Sequence, residues 1–312
     1  MPPRLEGWTL LTGSEPPFEV NPADHDASLR ARQAARDGIG LAVIGLSSPL
    51  GIEYLMPDDA ERLLDAYHRG VAALASPFAG WAAACLTAID APALAKQFDL
   101  GFVGLQLPAT AVADHVGYLR CAPLLDVLAD RDLPLFIHPG PAPGTPPTGP
   151  AWWAALVPYV QQLHAAWFAF RAYGRPAYPR LRVCFTALAG LGPLHGERLA
   201  ARGGCDPLAR GAVDPLVYVE TSSYGSRAID SALRVLGVDA LVFGSDRPYA
   251  TPAALDLGEA ACHAIRATNP AQLLGNDPLV PGSEYPGEVA GGSERGDHYV
   301  AATQEPRPAR AG

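Results

Sequence analysis

Lysine is nearly absent from this 312-residue chain: of its 23 basic residues, Lys96 alone is not an arginine. We read that bias as genomic base composition rather than as chemistry. Positive charge is short overall, since 32 acidic residues leave a formal net charge of −9. Binding along a phosphate backbone needs clustered cations, so a nucleic-acid partner is excluded, and so is attachment to an anionic membrane. No apolar run approaches the ~18 residues that a membrane-spanning helix needs. The opening MPPRLE has no signal-peptide core. Paired cysteines are missing too. Cys85, Cys121, Cys184, Cys205 and Cys262 are scattered, odd in number and without a CxxC. That excludes a disulfide frame and a cysteine-built zinc site, and fits reduced thiols in a cytoplasmic protein. What remains is a globular composition, 49% hydrophobic and 18% charged.

The apolar residues fall into short runs at regular intervals. Residues 39–47 (IGLAVIGLS), 78–87, 100–107, 133–138 (LPLFIH), 181–187 (LRVCFTA), 216–221 (LVYVET) and 240–245 (ALVFGS) read as strands. Near-continuous apolar runs of this kind suit parallel strands covered on both faces. Helical periodicity lies between them, at residues 58–75, 123–130, 154–173, 226–236 and 252–268, with a shorter helix at 25–37 ahead of the first strand. A helix followed by seven βα units predicts a parallel α/β sheet, doubly wound or a (β/α)8 barrel. Seven strands fall one short of a barrel. Residues 1–24 read as a long loop, so the chain looks like a barrel entered just after its first strand; a short strand at residues 8–11 (WTLL) is the alternative. The single domain is expected over residues 1–275. Residues 276–312, rich in Gly, Pro, Ser and charge, are expected to be a disordered tail.

Two strand ends carry chemistry. His138 closes LPLFIH and is followed by a Pro-Gly turn, and Asp246 follows the run 240–245 within GSDRP. Ligand sites of parallel α/β folds lie at the carboxyl ends of the strands. An imidazole and a carboxylate on that rim suit a borderline divalent ion such as zinc. Each residue alone also fits a structural role, a hydrogen-bonded histidine or a capping aspartate. Weaker rim candidates for substrate contact are Ser47, Gln106, Tyr224 and Arg247, the last as a bidentate partner of a carboxylate. Glu220 and Ser222 stand at another strand end and read as structural or supporting groups. His195 reads as a surface or capping residue. Trp152, Trp153, Trp167 and Phe168 either wall a pocket or pack helices.

The segments LPLFIHPG, RVCFTALAGLGPLHGERLAARGG, VYVETSSYG, LVFGSDRPYA and NPAQLLG resemble the amidohydrolase-related family, which holds metal-dependent hydrolases and non-oxidative decarboxylases on a (β/α)8 barrel. The resemblance runs from about residue 2 to residue 275. It implies that His138 is the metal ligand after the fifth barrel strand. It implies that Asp246, after the eighth, touches the metal or takes a proton from its bound water.

Two features depart from the family pattern. Its first strand ends in a His-x-His ligand pair, and no His-x-His occurs in this chain. Its sixth strand ends in a histidine, and Ala187 stands at that position. The first departure coincides with the missing strand, so a start placed too late explains both. The second puts a binuclear site and a histidine acid–base step in doubt. The expected activity is hydrolysis of a small ester, lactone or amide through a mononuclear metal-activated water, with Asp246 as base. The alternatives are a non-oxidative decarboxylase, or a degenerate barrel that binds a small molecule without turnover. The resemblance also implies a homodimer.

Overall fold

The computed structural model describes residues 3–12, 17–143, 150, 152–203, 213–252 and 254–275. The tail expected at 276–312 lies outside them. The opening segment differs from the expected loop. It forms a three-stranded antiparallel sheet of β1 (Arg4–Glu6), β2 (Thr9–Leu11) and β3 (Phe18–Glu19). Residues 8–11 therefore do hold a strand, but it pairs within this small sheet and not with the parallel strands. Gly7 makes the β1–β2 turn with a φ of 63°, a conformation glycine adopts without steric cost.

Helix α1 (Ala27–Arg36) is capped by Asp26, whose side chain accepts from the Leu29 N–H. Strands β4 (Ala42–Ile44) and β5 (Phe78–Gly80) pair in parallel, with α2 (Pro57–Ala72) as their crossover. A bridge from Ala82 to Leu105 carries the series, across α3 (Ala91–Asp99), to β6 (Leu105–Pro108). Then come α4 (His115–Arg131) and β7 (Leu135–His138). Short α5 (Trp153–Leu156), α6 (Pro158–Ala169) and α7 (Arg175–Ala177) lead to β8 (Val183–Phe185). Helix α8 (Gly196–Ala201), β9 (Val217–Glu220), α9 (Ser226–Leu236) and β10 (Leu241–Val242) follow. Helices α10 (Glu259–His263) and α11 (Asn269–Leu273) close the described chain.

Strands β6 to β10 form one parallel sheet whose spatial order is the chain order. That is the singly wound arrangement expected of a barrel, here with β4 and β5 extending it. Among the described residues no strand joins β4 to β10. Instead α1 and its C-cap reach across: Asp37 accepts from two of the three Arg247 nitrogens, Nε–Oδ2 at 3.1 Å and Nη2–Oδ1 at 3.4 Å, and Arg30 donates to the Arg247 carbonyl at 2.8 Å. The outer edge of β10 is met by the last helical segments. The Phe243 N–H donates to Ile265 O, and the Asn269 amide donates to Leu241 O at 2.6 Å.

Helix α4 begins eight residues before the sequence pattern places it. Asp114 caps it by accepting the Gly117 N–H at 2.8 Å. Pro123, read from sequence as a helix start, lies inside the helix on its exposed face, where water can meet the carbonyl that its missing N–H leaves unpaired.

Strand alternation sorts the core. Leu105, Leu107, Leu135, Ile137, Val183, Phe185, Val219 and Leu241 point outward and are buried against Leu124, Leu125 and Leu128 of α4, Leu163 of α6 and Ile229 of α9. Each such side chain contributes about 1.5–3 kcal/mol on leaving water. The alternate residues point inward. Phe136, Cys184, Tyr218 and Val242 form a separate inner cluster, closed from below by Leu273 of α11.

Candidate functional site at the carboxyl rim

The same alternation lifts a polar layer above that inner cluster. Gln106 of β6, His138 of β7 and Glu220 of β9 each stand two residues on from, or level with, an inward apolar neighbour. Beneath His138 the rings of Trp81 and Phe136 stack in parallel, 4.8 Å apart with 2° between their planes. Phe136 is in turn 6.4 Å from the His138 ring. A stacked aromatic pair thus closes the rim from below, and its wall is polar.

His138 Nδ1 lies 3.0 Å from the Pro139 carbonyl. A carbonyl only accepts, so Nδ1 carries the proton and Nε2 keeps its lone pair. Burial pushes the ring below the ordinary histidine range, against the opposing influences of that carbonyl and of the Asp246 charge. His138 is therefore neutral at neutral pH. Asp246 follows β10 with a φ of 47° and accepts the Ser223 hydroxyl at 2.7 Å.

The weaker sequence candidates fall as follows. The Gln106 amide donates to Leu46 O at 2.6 Å, tying β6 to the loop after β4. Ser47 opens a 3-10 turn in that loop, its carbonyl accepting from Leu50. Tyr224 packs against the helix-side core. The Arg247 guanidinium is engaged by Asp37, so its nearest carboxylate belongs to the protein.

Glu220 is the group that sequence reasoning undervalued. Its Oε1 accepts the Ser222 N–H at 2.7 Å. Its Oε2 accepts the Ser222 hydroxyl at 2.6 Å and the Ala187 N–H at 3.2 Å. A side chain on Gly244 would overlap this carboxylate, so the neighbouring strand leaves room for it. Burial pushes the carboxyl up to about 7, opposed by its three donors and reinforced by the Asp246 charge. Ala187, where the resemblance expects a histidine, opens a left-handed turn. Ala187, Leu188, Ala189, Gly190 and Leu191 all have φ between 47° and 60°. That geometry costs about 1–2 kcal/mol for each residue other than glycine. It aims the Ala187 N–H at Glu220, so the carboxylate stands against the backbone from which the family's histidine would branch.

The donors suit a divalent ion in kind but not in number. Neutral His138, its far nitrogen held by a carbonyl, and Asp246 are proper ligands. Among the described residues, however, no group of three or more His, Cys, Asp or Glu is arranged to hold a metal. A catalytic centre takes three protein ligands plus water. The described residues do not complete such a centre, and no step below runs through one.

A parallel α/β series with its titratable groups gathered at the carboxyl ends defines the class. Comparison with solved structures then gives it relatives in fold. The chain is similar to a 5-carboxyvanillate decarboxylase from Novosphingobium aromaticivorans bound to manganese and 3-methoxy-4-hydroxy-5-nitrobenzoic acid, with 20% identity, a TM-score of 0.63 and coverage of 79% of this chain and 80% of that one. It is similar to the IDCase of Metarhizium anisopliae, with 18% identity, a TM-score of 0.66 and coverage of 84% and 82%. It is also similar to a putative amidohydrolase from Staphylococcus aureus, with 18% identity, a TM-score of 0.60 and coverage of 80% and 91%. No family model and no curated protein matches the chain. At these identities the likeness establishes a shared fold, and it agrees with the family that the five motifs resemble. No described helix is long and apolar enough to cross a membrane.

Proposed function

We propose that this protein removes the carboxyl group of a small aromatic acid without oxidation. The observation that carries the reading is Glu220, a buried carboxyl placed where it can hold a proton near neutral pH, above a stacked aromatic pair. The decarboxylases that share the fold support it. Hydrolysis, the first expectation from sequence, has the putative amidohydrolase and the Asp246–Ser223 pair on its side.

In decarboxylation the Glu220 proton passes to the ring carbon that bears the carboxylate. A new C–H bond forms and the C–C bond breaks. Its electron pair restores the ring, carbon dioxide leaves, and solvent returns a proton to Glu220. Neutral His138 offers Nε2 to a phenolic hydroxyl, and Trp81 and Phe136 orient the ring. The divalent ion of the sequence expectation, zinc, is not written into this step, because only His138 and Asp246 stand ready for it.

The test is a panel of hydroxybenzoates set beside a panel of esters, lactones and amides, assayed for carbon dioxide and for hydrolysis. Carbon dioxide release is expected, falling as pH rises through about 7 because Glu220 must hold its proton to give it. Glu220→Gln should lower the rate by about 100-fold or more, the usual worth of a positioned acid. Hydrolysis without carbon dioxide, or an unimpaired Glu220→Gln, overturns the reading.

A further inference from the structure

A second buried carboxyl lies on the same rim, and the proposed chemistry does not use it. Glu53 sits in the 3-10 turn Ile52–Tyr54 and is 0% exposed. Neither of its carboxyl oxygens has a hydrogen-bond partner on another residue. The turn that carries it packs, through Ile52, into the apolar group of Leu46, Ala60, Leu64 and Ala83. An orphaned carboxyl in such a place costs several kcal/mol if charged, and much less if neutral.

Every titratable group facing it is uncharged or engaged elsewhere. On its own turn, the Tyr54 hydroxyl is 2.7 Å from Thr110 Oγ1. From α2, the Tyr67 hydroxyl is 2.7 Å from the Trp81 carbonyl, and His68 Nε2 accepts the Ala83 N–H at 3.1 Å. From the loop after β5, Cys85 Sγ lies 3.2 Å from Thr87 Oγ1. The cation on that side, Arg120, acts on Tyr54 and donates to the Ala111 carbonyl, and it makes no hydrogen bond to Glu53.

The turn that carries Glu53 belongs to a strap, residues 46–55, laid across the rim from β4 towards β7. Leu46 O holds the Gln106 amide at 2.6 Å. Tyr54 holds Thr110, just past the end of β6. A side chain on Gly51 would come within 2.9 Å of Pro141 Cγ, three residues beyond His138. Glu53 O accepts the Leu86 N–H at 2.7 Å, and Thr87 Oγ1 donates to Leu55 O at 2.5 Å. Gly51, with a φ of 63°, supplies a hinge that another residue would strain.

We propose that Glu53 is a proton-operated latch for this strap: the neutral carboxyl keeps residues 46–55 seated beside His138, and its ionisation lifts them. This goes beyond the proposed reaction and does not depend on it. Burial pushes the carboxyl up to about 7. The sign follows by linkage. The seated state binds the proton more tightly than the lifted state, where Glu53 returns to its ordinary value. The seat is therefore fully stabilised below about pH 4.5, weakens as pH rises, and levels off above about 7.

Hydrogen exchange of the full chain, corrected for the intrinsic pH dependence, tests this without any substrate. Protection of the Leu86 amide and of residues 52–55 should fall on the order of tenfold between about pH 6 and 8, while α4, which carries no such carboxyl, keeps its own. Glu53→Gln and Glu53→Leu should each make strap protection independent of pH. Constant strap protection in the wild type overturns the latch, as does an equal fall in α4. The same fall in both variants assigns the proton to another group and overturns it too. If neither variant folds, the wild-type contrast between strap and α4 decides.

Discussion

Strands β6, β8 and β9 are buried at every residue, whereas β4 is fully buried at none. Strands β8 and β9 have a parallel neighbour on each side, and β6 has β7 on one side and the Ala82 bridge on the other. Strand β4 has one strand neighbour, β5. The two regions consequently do different work. The dry region fixes side chains to within a rotamer; Glu220 stands on it, and His138 stands on β7, held between β6 and β8. The wetter region contributes the strap over the rim and the polar clamp at Arg247, parts that can shift without unmaking the sheet. The site is built where strands are held on both edges and bordered where they are not.

The largest contrast is available at two glycines. Gly244→Ala, beside the dry strand β9, places a methyl group in the space of the Glu220 carboxylate, which its three donors otherwise hold in place. We expect a loss of about 1–3 kcal/mol in stability from overpacking. The rate should also fall about 100-fold, because the acid is displaced. Gly40→Ala, just before β4, meets nothing within 4 Å and has no left-handed φ to strain it, so it should leave both unchanged. Urea unfolding and a turnover assay on the two variants measure the difference. Equal effects would mean that the two regions are equally tight.

These examples also show how far the sequence is legible. The seven parallel strands, their order and the rim position of His138 follow from short apolar runs that end in polar residues. That signal is local and arises from burial on both faces. The hairpin of β1 to β3 is not legible in the same way. Its strands have two or three residues, half-exposed in β2 and exposed in β3, so neither burial nor alternation marks them. The early start of α4 was hidden because Pro123 imitates a helix start, although Asp114 three residues before Gly117 was a cap in plain view. The surroundings of Glu220 and Arg247 are hidden for another reason. What makes Glu220 special is the space at Gly244, and what occupies Arg247 is Asp37, 210 residues away. No periodicity reports contacts of that range.

A smaller contrast separates apolar truncations. Leu125→Ala in α4, fully buried against the outward face of the sheet, should cost about 2–5 kcal/mol by loss of transfer energy and the cavity left behind. Ile44→Ala in β4 removes a half-exposed side chain, and a cost of about 1 kcal/mol or less is expected, since less apolar area leaves water. Chemical denaturation of both variants, with unchanged m-values, checks the ordering. If Ile44→Ala is as damaging as Leu125→Ala, β4 is drier in solution than its exposure indicates.

The smallest expected effect concerns the clamp that joins the two regions. Arg247 and Asp37 keep only 21% and 19% of their side-chain surface and meet through two nitrogens, whereas Arg69 and Asp65 on α2 keep 74% and 59%. Screening by water weakens the exposed pair, and two flexible side chains must be ordered to form it. The bidentate, half-dry pair loses less to both effects. A double-mutant cycle with Arg247→Gln and Asp37→Asn should give a coupling of about 1 kcal/mol. The cycle with Arg69→Gln and Asp65→Asn should give about 0.5 kcal/mol or less. The cycle also separates two roles for Arg247. As a clamp, its replacement shifts stability and leaves KM unchanged, and Asp37→Asn does the same. As a substrate contact, which is how it reads in sequence, Arg247→Gln would raise KM by tenfold or more on the order of one lost charged contact, while Asp37→Asn would free the guanidinium and lower it. Opposite movements of KM in the two variants would therefore transfer Arg247 from the frame to the site, and parallel losses of stability would keep it in the frame.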